Sequence, residues 1–456
     1  MDPLIAATEA NLMAARYQMA ISLGFHIILA CFGIGFPLIA FIAHRLGWRR
    51  SDVDALRLAK RWAKTMAVLF AVGAVSGTIL SFELGALWPG LMGPYGDVVG
   101  LMFALEGIAF FVEAIFIAIY LYGWSRLPAR LHSWMLAPIA LAGMAGSFFV
   151  VAANAWMNSP SGFDVAADGS IINVDPWAAM FNDAALVQWS HMLFAAYMVS
   201  GFMVASVYAI RRLRGDRSRI TRLGFLIAFS VAAVATPVQV LIGDVATRRL
   251  VEAQPSKFAA MELLPESGSR APLTIGGIYV DGEVVGAIEI PGLASWLATR
   301  SVDGEVPGFD VVNEEDLPPV NVVHWAFQIM VGIGTALLLL SVWFAFVWWR
   351  RRGPPESRWF WRSASVAGIA AIVAMEAGWT TTEVGRQPWI VWQQVRTTDA
   401  VSSSSGIVVS AIAISLIYVV LGILTVTVIR IIGRRMREGE DVPAPYGPLP
   451  DRETAS

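Results

Sequence analysis

The chain has one cysteine, Cys31, in 456 residues. That excludes an internal disulfide, an iron–sulfur cluster held by several thiolates and a Cys-x-x-Cys-His haem attachment site. Charge is scarce too. Asp, Glu, Lys and Arg make up 15% of the chain, where a soluble protein carries about a quarter. With 56% hydrophobic residues and a mean hydropathy of +0.61, the composition is that of a polytopic membrane protein. No internal repeat is evident, which weighs against an inverted-repeat transporter. The net charge of −2 says little as a sum; its distribution along the chain is what informs.

A helix needs about 20 apolar residues to cross the hydrocarbon core. Nine segments qualify: 18–43, 65–88, 98–124, 133–156, 184–210, 223–243, 322–349, 361–383 and 406–432. Each is expected to be helical, because lipid satisfies no backbone polar group and no strand-period pattern suggests a barrel. The fold class is therefore an all-α integral membrane protein with nine transmembrane helices. The first fifteen residues, with Asp2 and Glu9, read as an amphipathic lead-in and not as a cleaved signal peptide.

Basic residues are missing from alternate connections, 89–97 and 157–183, and abundant in the others. Arg45, Arg49, Arg50, Arg57, Lys60, Arg61 and Lys64 follow span 1, and Arg126 and Arg130 follow span 3. Six arginines between Arg211 and Arg222 follow span 5, and five between Arg350 and Arg362 follow span 7. By the positive-inside rule the N-terminus is outside and the C-terminus cytoplasmic. The chain then divides into helices 1–6 (1–243), an outer loop (244–321), helices 7–9 (322–433) and a cytoplasmic tail (434–456). The tail run Pro443 to Pro450 reads as disordered. The outer loop starts with a helical pattern, Ala246 to Leu264, and continues into a hairpin-like stretch at Gly276 to Val280. A loop of this length is usually functional or mobile.

Few ionisable groups lie deep in the spans: His26, Glu106, Glu113, His191, Glu376 and Glu383, with Glu83 near a span end. On the threading above they all fall toward the outer side. Such groups are costly in lipid and mark functional sites by default. A buried imidazole needs a metal, a cofactor or a polar partner, and a plain helix–helix hydrogen bond would also serve. His44, His132 and His324 fall at span ends and read as solvated or capping residues. Met330 matches His191 in depth, which suits His/Met haem ligation; packing is the plain alternative. Glu106 and Glu113 lie two turns apart on one helix face, as do Glu376 and Glu383. Such ladders serve proton relays or act as interhelical polar glue. Arg386 could clamp a propionate through its fork of donors. Five histidines in all are too few for a haem–copper core, and no span holds the paired deep histidines of a dihaem cytochrome b.

Several segments carry a resemblance: Ala15-Arg16-Tyr-Gln-Met and Gly24-Phe-His26; Ser81-Phe-Glu83-Leu-Gly-Ala-Leu-Trp-Pro; Leu105-Glu106 to Glu113; Asn154-Ala-Trp156-Met-Asn-Ser-Pro; Gln188-Trp-Ser-His191; Phe327-Gln-Ile-Met330-Val-Gly; and Gly378-Trp379 to Glu383-Val-Gly-Arg386-Gln-Pro-Trp389. Over spans 1–9 and the start of the outer loop, the chain resembles subunit I of the cytochrome bd-type quinol oxidases. The resemblance implies a terminal oxidase of the bacterial cytoplasmic (inner) membrane. It would oxidise quinol outside, reduce O2 to water at a high-spin haem and build a proton motive force without pumping. His191 and Met330 would ligate a low-spin haem b. His26 and Glu383 would serve a high-spin haem b and the oxygen-reducing haem d, with members differing in which haem fills which pocket. Arg386, Trp379 and Arg16 would line the cofactor pockets. Glu106 and Glu113 would carry protons, and Lys257 to Glu262 would bind quinol, a helix there placing cation and carboxylate near one another. Implied partners are a second membrane subunit (subunit II) in a heterodimer, a small single-helix subunit as an optional third, quinol, O2 and the bilayer, with no nucleic acid.

Two departures stand out. Gln328 occupies the place where many members carry arginine, which removes a positive charge near the low-spin haem. The short loop and the Ser81 to Pro89 segment resemble the cyanide-insensitive branch, in which a third haem b can replace haem d. Since the reaction would lie near the outer face, protons for water must cross an inner half bare of carboxylates, with Lys64 and the partner subunit as candidates. The rivals are a haem-free proton-coupled transporter built on the carboxylate ladder and a structural or sensory membrane protein.

Overall fold

The computed structural model describes residues 3–435. The helices are α1 (Pro3–Arg50), α2 (Val53–Leu87), α3 (Pro89–Tyr122), α4 (Ala129–Trp134), α5 (Leu136–Asn158), α6 (Pro176–Met180), α7 (Ala185–Leu213), α8 (Arg219–Ala253), α9 (Pro255–Glu262), α10 (Leu293–Thr299), α11 (Val320–Arg351), α12 (Arg358–Val384), α13 (Thr397–Ala400) and α14 (Ile407–Arg435). Among the described residues nine helical segments are long and apolar enough to cross a membrane, one at each expected span. The tail run Pro443 to Pro450 lies outside the described residues.

The helices run further than the apolar windows. α2 starts at Val53, so Arg57, Lys60, Arg61 and Lys64 sit on its first turns and not in a connection. Asp52 caps that helix, accepting from Ala55 N at 3.2 Å. Arg219, at the start of α8, pairs with both Asp52 and Asp54 and ties the two helix starts together. The expected connection 89–97 is the beginning of α3, opened by Pro89 at its first position, where a missing N–H costs nothing. The expected loop 244–321 likewise begins later, because α8 continues to Ala253. Polar residues extend a membrane helix into the interface, since its backbone bonds need no apolar side chains.

After α8 a break at Gln254 leads into α9, with Pro255 at its first position and Leu263 in the left-handed region at its end. A hairpin follows, β3 (Leu273–Val280) and β4 (Glu283–Ile290), joined by Asp281-Gly282 with positive φ at both positions. The segment between α8 and α11 builds a core of its own with the start of α11: Phe258, Met261, Leu264 and Phe309 are buried with Val323 and Phe327. One face of α11 docks the hairpin. Asn321 exchanges two hydrogen bonds with the Tyr279 backbone (2.7 and 2.9 Å), and Gln328 Nε2 donates to Thr274 O at 2.9 Å.

The same docking corrects the reading of His324 as a solvated span-end residue. It is fully buried, with ring nitrogens 2.8 Å from Met261 O and 2.9 Å from Gly276 O. His44 and His132 are also fully buried. His44 Nδ1 meets the Tyr120 hydroxyl at 2.9 Å and His132 Nε2 meets Tyr120 O at 2.7 Å, with Trp124 packed against both rings. Helix ends that pack on one another bury their polar residues, and each then needs a protein partner.

Candidate functional site

The deep polar residues lie between different pairs of helices. Among the described residues no three His, Cys, Asp or Glu side chains gather as a metal cluster. Ligation by one or two side chains per iron, as in haem proteins, suits that dispersal.

His26 on α1 faces α2. Its Nδ1 lies 2.9 Å from Ser76 Oγ, and that hydroxyl donates to Gly73 O at 3.0 Å. Ser76 therefore accepts from Nδ1–H, which leaves the lone pair on Nε2. Gly77 gives the ring its room: a Cβ there would lie 2.9 Å from His26 Cε1. Glu376 on α12 reaches toward Gly24, two residues before His26 on α1, and its Oε1 is buried without a partner. Glu83 accepts from Gln18 Nε2 at 2.9 Å, a contact between α2 and α1.

His191 on α7 faces α8, with Nε2 3.1 Å from Gln239 Nε2. Its Nδ1 is buried without any partner, as is Gln239 Oε1. A Cβ on Gly243 would come within 3.2 Å of its Cε1. Met330 on α11 repeats the pattern against α12, where a Cβ on Gly378 would meet its Sδ at 2.8 Å. Trp379, beside that glycine, packs half-buried on the main core.

Glu383, near the end of α12, accepts from Arg386 Nη2 at 2.7 Å and from Asn154 Nδ2 of α5 at 2.5 Å. Arg386 is 3% exposed, yet its Nε and Nη1 lack partners. Buried guanidinium donors left over in this way suit an anionic group such as a propionate. Arg16 donates to Gln387 Oε1 at 3.1 Å, and its Nε is also unpartnered. The buried unpartnered atoms, and the glycines that let His26, His191 and Met330 lie close against neighbouring helices, are features that suit haem groups.

Lys257 and Glu262 of α9 are buried, at 3% and 4% exposure. They do not pair. Five residues along a helix is a turn and a half, which puts the two side chains on different faces. Lys257 Nζ instead donates to Asn158 Oδ1 at 2.9 Å. Burial, with Arg386 adding to it and Glu383 opposing, lowers the amine to about 7. Burial raises the Glu262 carboxyl to about 7, and its Oε2 has no partner.

On α3, Glu113 is buried and Glu106 half-buried. Gly33 and Gly143 flank the Glu113 carboxyl from α1 and α5: a Cβ on either would lie 3.7–3.8 Å from it. Two turns further along α3 comes Tyr120, in its cluster with His44 and His132. Lys64 is exposed on α2. Ser76, Gln239 and Gln254 carried no signal in the sequence, and Asn154 and Asn158, though part of a segment that carries the resemblance, had no role assigned, because a neutral amide or hydroxyl is cheaper to bury than a charge. The one available signal was Asn154 and Asn158, two amides a helical turn apart at the end of an apolar span.

Residues 14–437 match the family model for cytochrome bd terminal oxidase subunit I. A Bacillus subtilis (strain 168) protein assigned as a cytochrome bd menaquinol oxidase subunit I is 34% identical, over 95% of this chain and 98% of its own. The cytochrome bd ubiquinol oxidase subunit 1 of the same organism is 31% identical, over 91% and 92%. The solved bd oxidase of Geobacillus thermodenitrificans superposes with a TM-score of 0.87 at 35% identity, covering 93% of this chain and 98% of that one.

Proposed function

The chain belongs to the cytochrome bd terminal oxidase subunit I family, and from that premise we propose a residue-level account of its chemistry. It is a multi-pass protein of the bacterial inner membrane and a quinol:oxygen oxidoreductase, working with haem cofactors in a complex with subunit II. A small third subunit is part of the proposal only.

His191 and Met330 hold the low-spin haem b; His26 and Glu383 serve the high-spin haem b and the haem d, or a third haem b in its place. The observation that carries this reading is the His191 imidazole, packed against Gly243, with its Nδ1 and the neighbouring Gln239 Oε1 both buried and unpartnered. An orphaned imidazole nitrogen in lipid costs free energy unless something binds it. The haem groups, when bound, supply the electron relay and the site where O2 becomes water. Ser76 fixes the tautomer of His26, and the free donors of Arg386 and Arg16 hold propionates.

At the outer face, α9 receives quinol. Loss of its electrons releases both hydroxyl protons, which Lys257 as the neutral amine and Glu262 as carboxylate accept. Those protons leave outside. Protons for water enter from the cytoplasm and reach Glu113 and then Glu106, so charge crosses the membrane without a pump. The basic residues at one set of helix ends support that orientation.

A reduced-minus-oxidised spectrum of the purified complex tests the account, with haem extraction naming the third haem. His191→Ala should remove the low-spin α-band and spare the high-spin bands. An intact low-spin band in that variant would end the ligand assignment.

A further inference from the structure

Asn158 closes α5 at 4% exposure. Its Oδ1 accepts from Lys257 Nζ at 2.9 Å and from Gln254 Nε2 at 3.2 Å. Its Nδ2 donates to Asn154 O at 2.9 Å and to Asn154 Oδ1 at 3.3 Å. Gln254 Nε2 also reaches the Asn158 backbone carbonyl at 3.1 Å. A carboxamide has two acceptor sites and two donor hydrogens, and here all four are engaged. No other uncharged side chain of this length does both jobs: leucine makes neither contact, and a carboxylate has no donor for Asn154.

Asn154 continues the chain to Glu383. Lys257, Asn158, Asn154 and Glu383 thus form one hydrogen-bonded line from α9 through α5 to α12. Three buried atoms at or beside α9 remain without partners: Gln254 Oε1, Ser256 Oγ and Glu262 Oε2. Gln254 Oε1 only accepts, and so does Glu262 when it is a carboxylate. Quinol offers two hydroxyl donors and quinone offers none, so an acceptor-rich segment favours the reduced substrate over the product.

We propose that Asn158 is a positioning residue for quinol oxidation, holding Lys257 and Gln254 at the head-group site and, through Asn154, tying that site to the pocket of Glu383. The proposal rests on the reading of α9 as the quinol segment. Asn158 touches no substrate itself and acts through Lys257 and Gln254. Loss of a hydrogen bond to a buried amine is worth roughly a tenfold change or more in an equilibrium.

The test uses the purified complex with a short-chain ubiquinol and a short-chain menaquinol as probes. It reads KM against kcat, equilibrium binding of the corresponding quinones, and the optical bands before and after quinone is added. Asn158→Leu should raise KM about tenfold or more, with a smaller change in kcat and the haem bands retained. Asn158→Gln should recover part of the loss. Asn154→Leu should leave KM near the parent value but abolish the quinone-induced shift of the high-spin bands. Unchanged KM and quinone affinity in Asn158→Leu overturn the positioning role. A band shift that persists in Asn154→Leu, or is missing from the parent, overturns the tie to Glu383. Should Asn158→Leu not assemble, Asn158→Ser is read by the same criteria. Lys257→Met separates the premise: if that variant keeps its quinol KM, the α9 reading itself fails, whereas an effect there with none at Asn158 overturns the proposal alone.

Discussion

Lys257 and Gly385 are in close packing where α9 meets the end of α12. A Cβ on Gly385 would lie 2.8 Å from Lys257 Cγ and 3.0 Å from its Cε. The lysine stem passes just beyond the end of α12, at a residue with no side chain, on its way to Asn158, and Thr381 O lies nearer still, 2.5 Å from where that Cβ would be. The backbone of Gly385 is ordinary helical, with φ at −68°. It is close approach, not conformational freedom, that calls for glycine here. Gly385→Ala should push the stem aside, cost about 1–3 kcal/mol of stability by overpacking and raise the quinol KM several-fold. Steady-state kinetics beside a thermal melt would show both, and an unchanged KM would remove Gly385 from the quinol site.

The acid–base poise of α9 yields a pH profile. Burial, with Arg386 adding to it, brings the Lys257 amine down to about 7, and burial brings the Glu262 carboxyl up to about 7. Below that pH Lys257 is a cation and Glu262 an acid, so neither can take a proton from quinol. Above it both can. The kcat/KM for quinol should therefore rise through about pH 7 and then level off. Lys257→Arg stays charged and should lose the amine's part of the rise; Glu262→Gln should lose the carboxyl's part. A rate profile that keeps its shape in both variants would remove them as proton acceptors.

Ser76 orients His26 through one hydroxyl. Ser76→Ala leaves Nδ1 without its acceptor, and such outer partners are worth roughly 10- to 100-fold in metal-site affinity. Haem content per complex should fall and the high-spin bands should shift. Ser76→Thr, which keeps the hydroxyl, should restore both. Equal haem content and equal bands in all three proteins would show that the hydroxyl has no orienting role.

Gln328 is used structurally, fastening Thr274 O of the hairpin to α11. Arginine at this position can donate the same bond while adding a positive charge near Met330. Positive charge favours the reduced iron, which carries one charge less. Gln328→Arg should raise the low-spin midpoint by on the order of tens of millivolts. A redox titration in which the midpoint stays or falls would contradict the placement of the low-spin haem beside α11.

Most of the fold was legible because its strongest term is local. A run of apolar residues declares a span whatever lies beside it, and all nine appear among the described residues. The hairpin was legible from its glycines and β-branched residues. Helix ends were not, since polar residues continue a helix past the lipid and no hydropathy window registers them. The three span-end histidines were misread for a related reason: position along a helix does not say whether a neighbouring helix covers the end.

The candidate site shows the same division. The sequence by itself determined which groups are expensive to bury, His26, His191, Glu113 and Glu383 among them, because desolvation cost belongs to a residue type and its span. Only the tertiary structure decided what each one meets. Asn154 and Glu383 are 229 residues apart in the chain yet share a hydrogen bond, and Lys257 finds Asn158 instead of Glu262. Hydropathy adds along the chain, whereas a hydrogen bond reaches about 3 Å in space, so partnership exists only once the helices have packed.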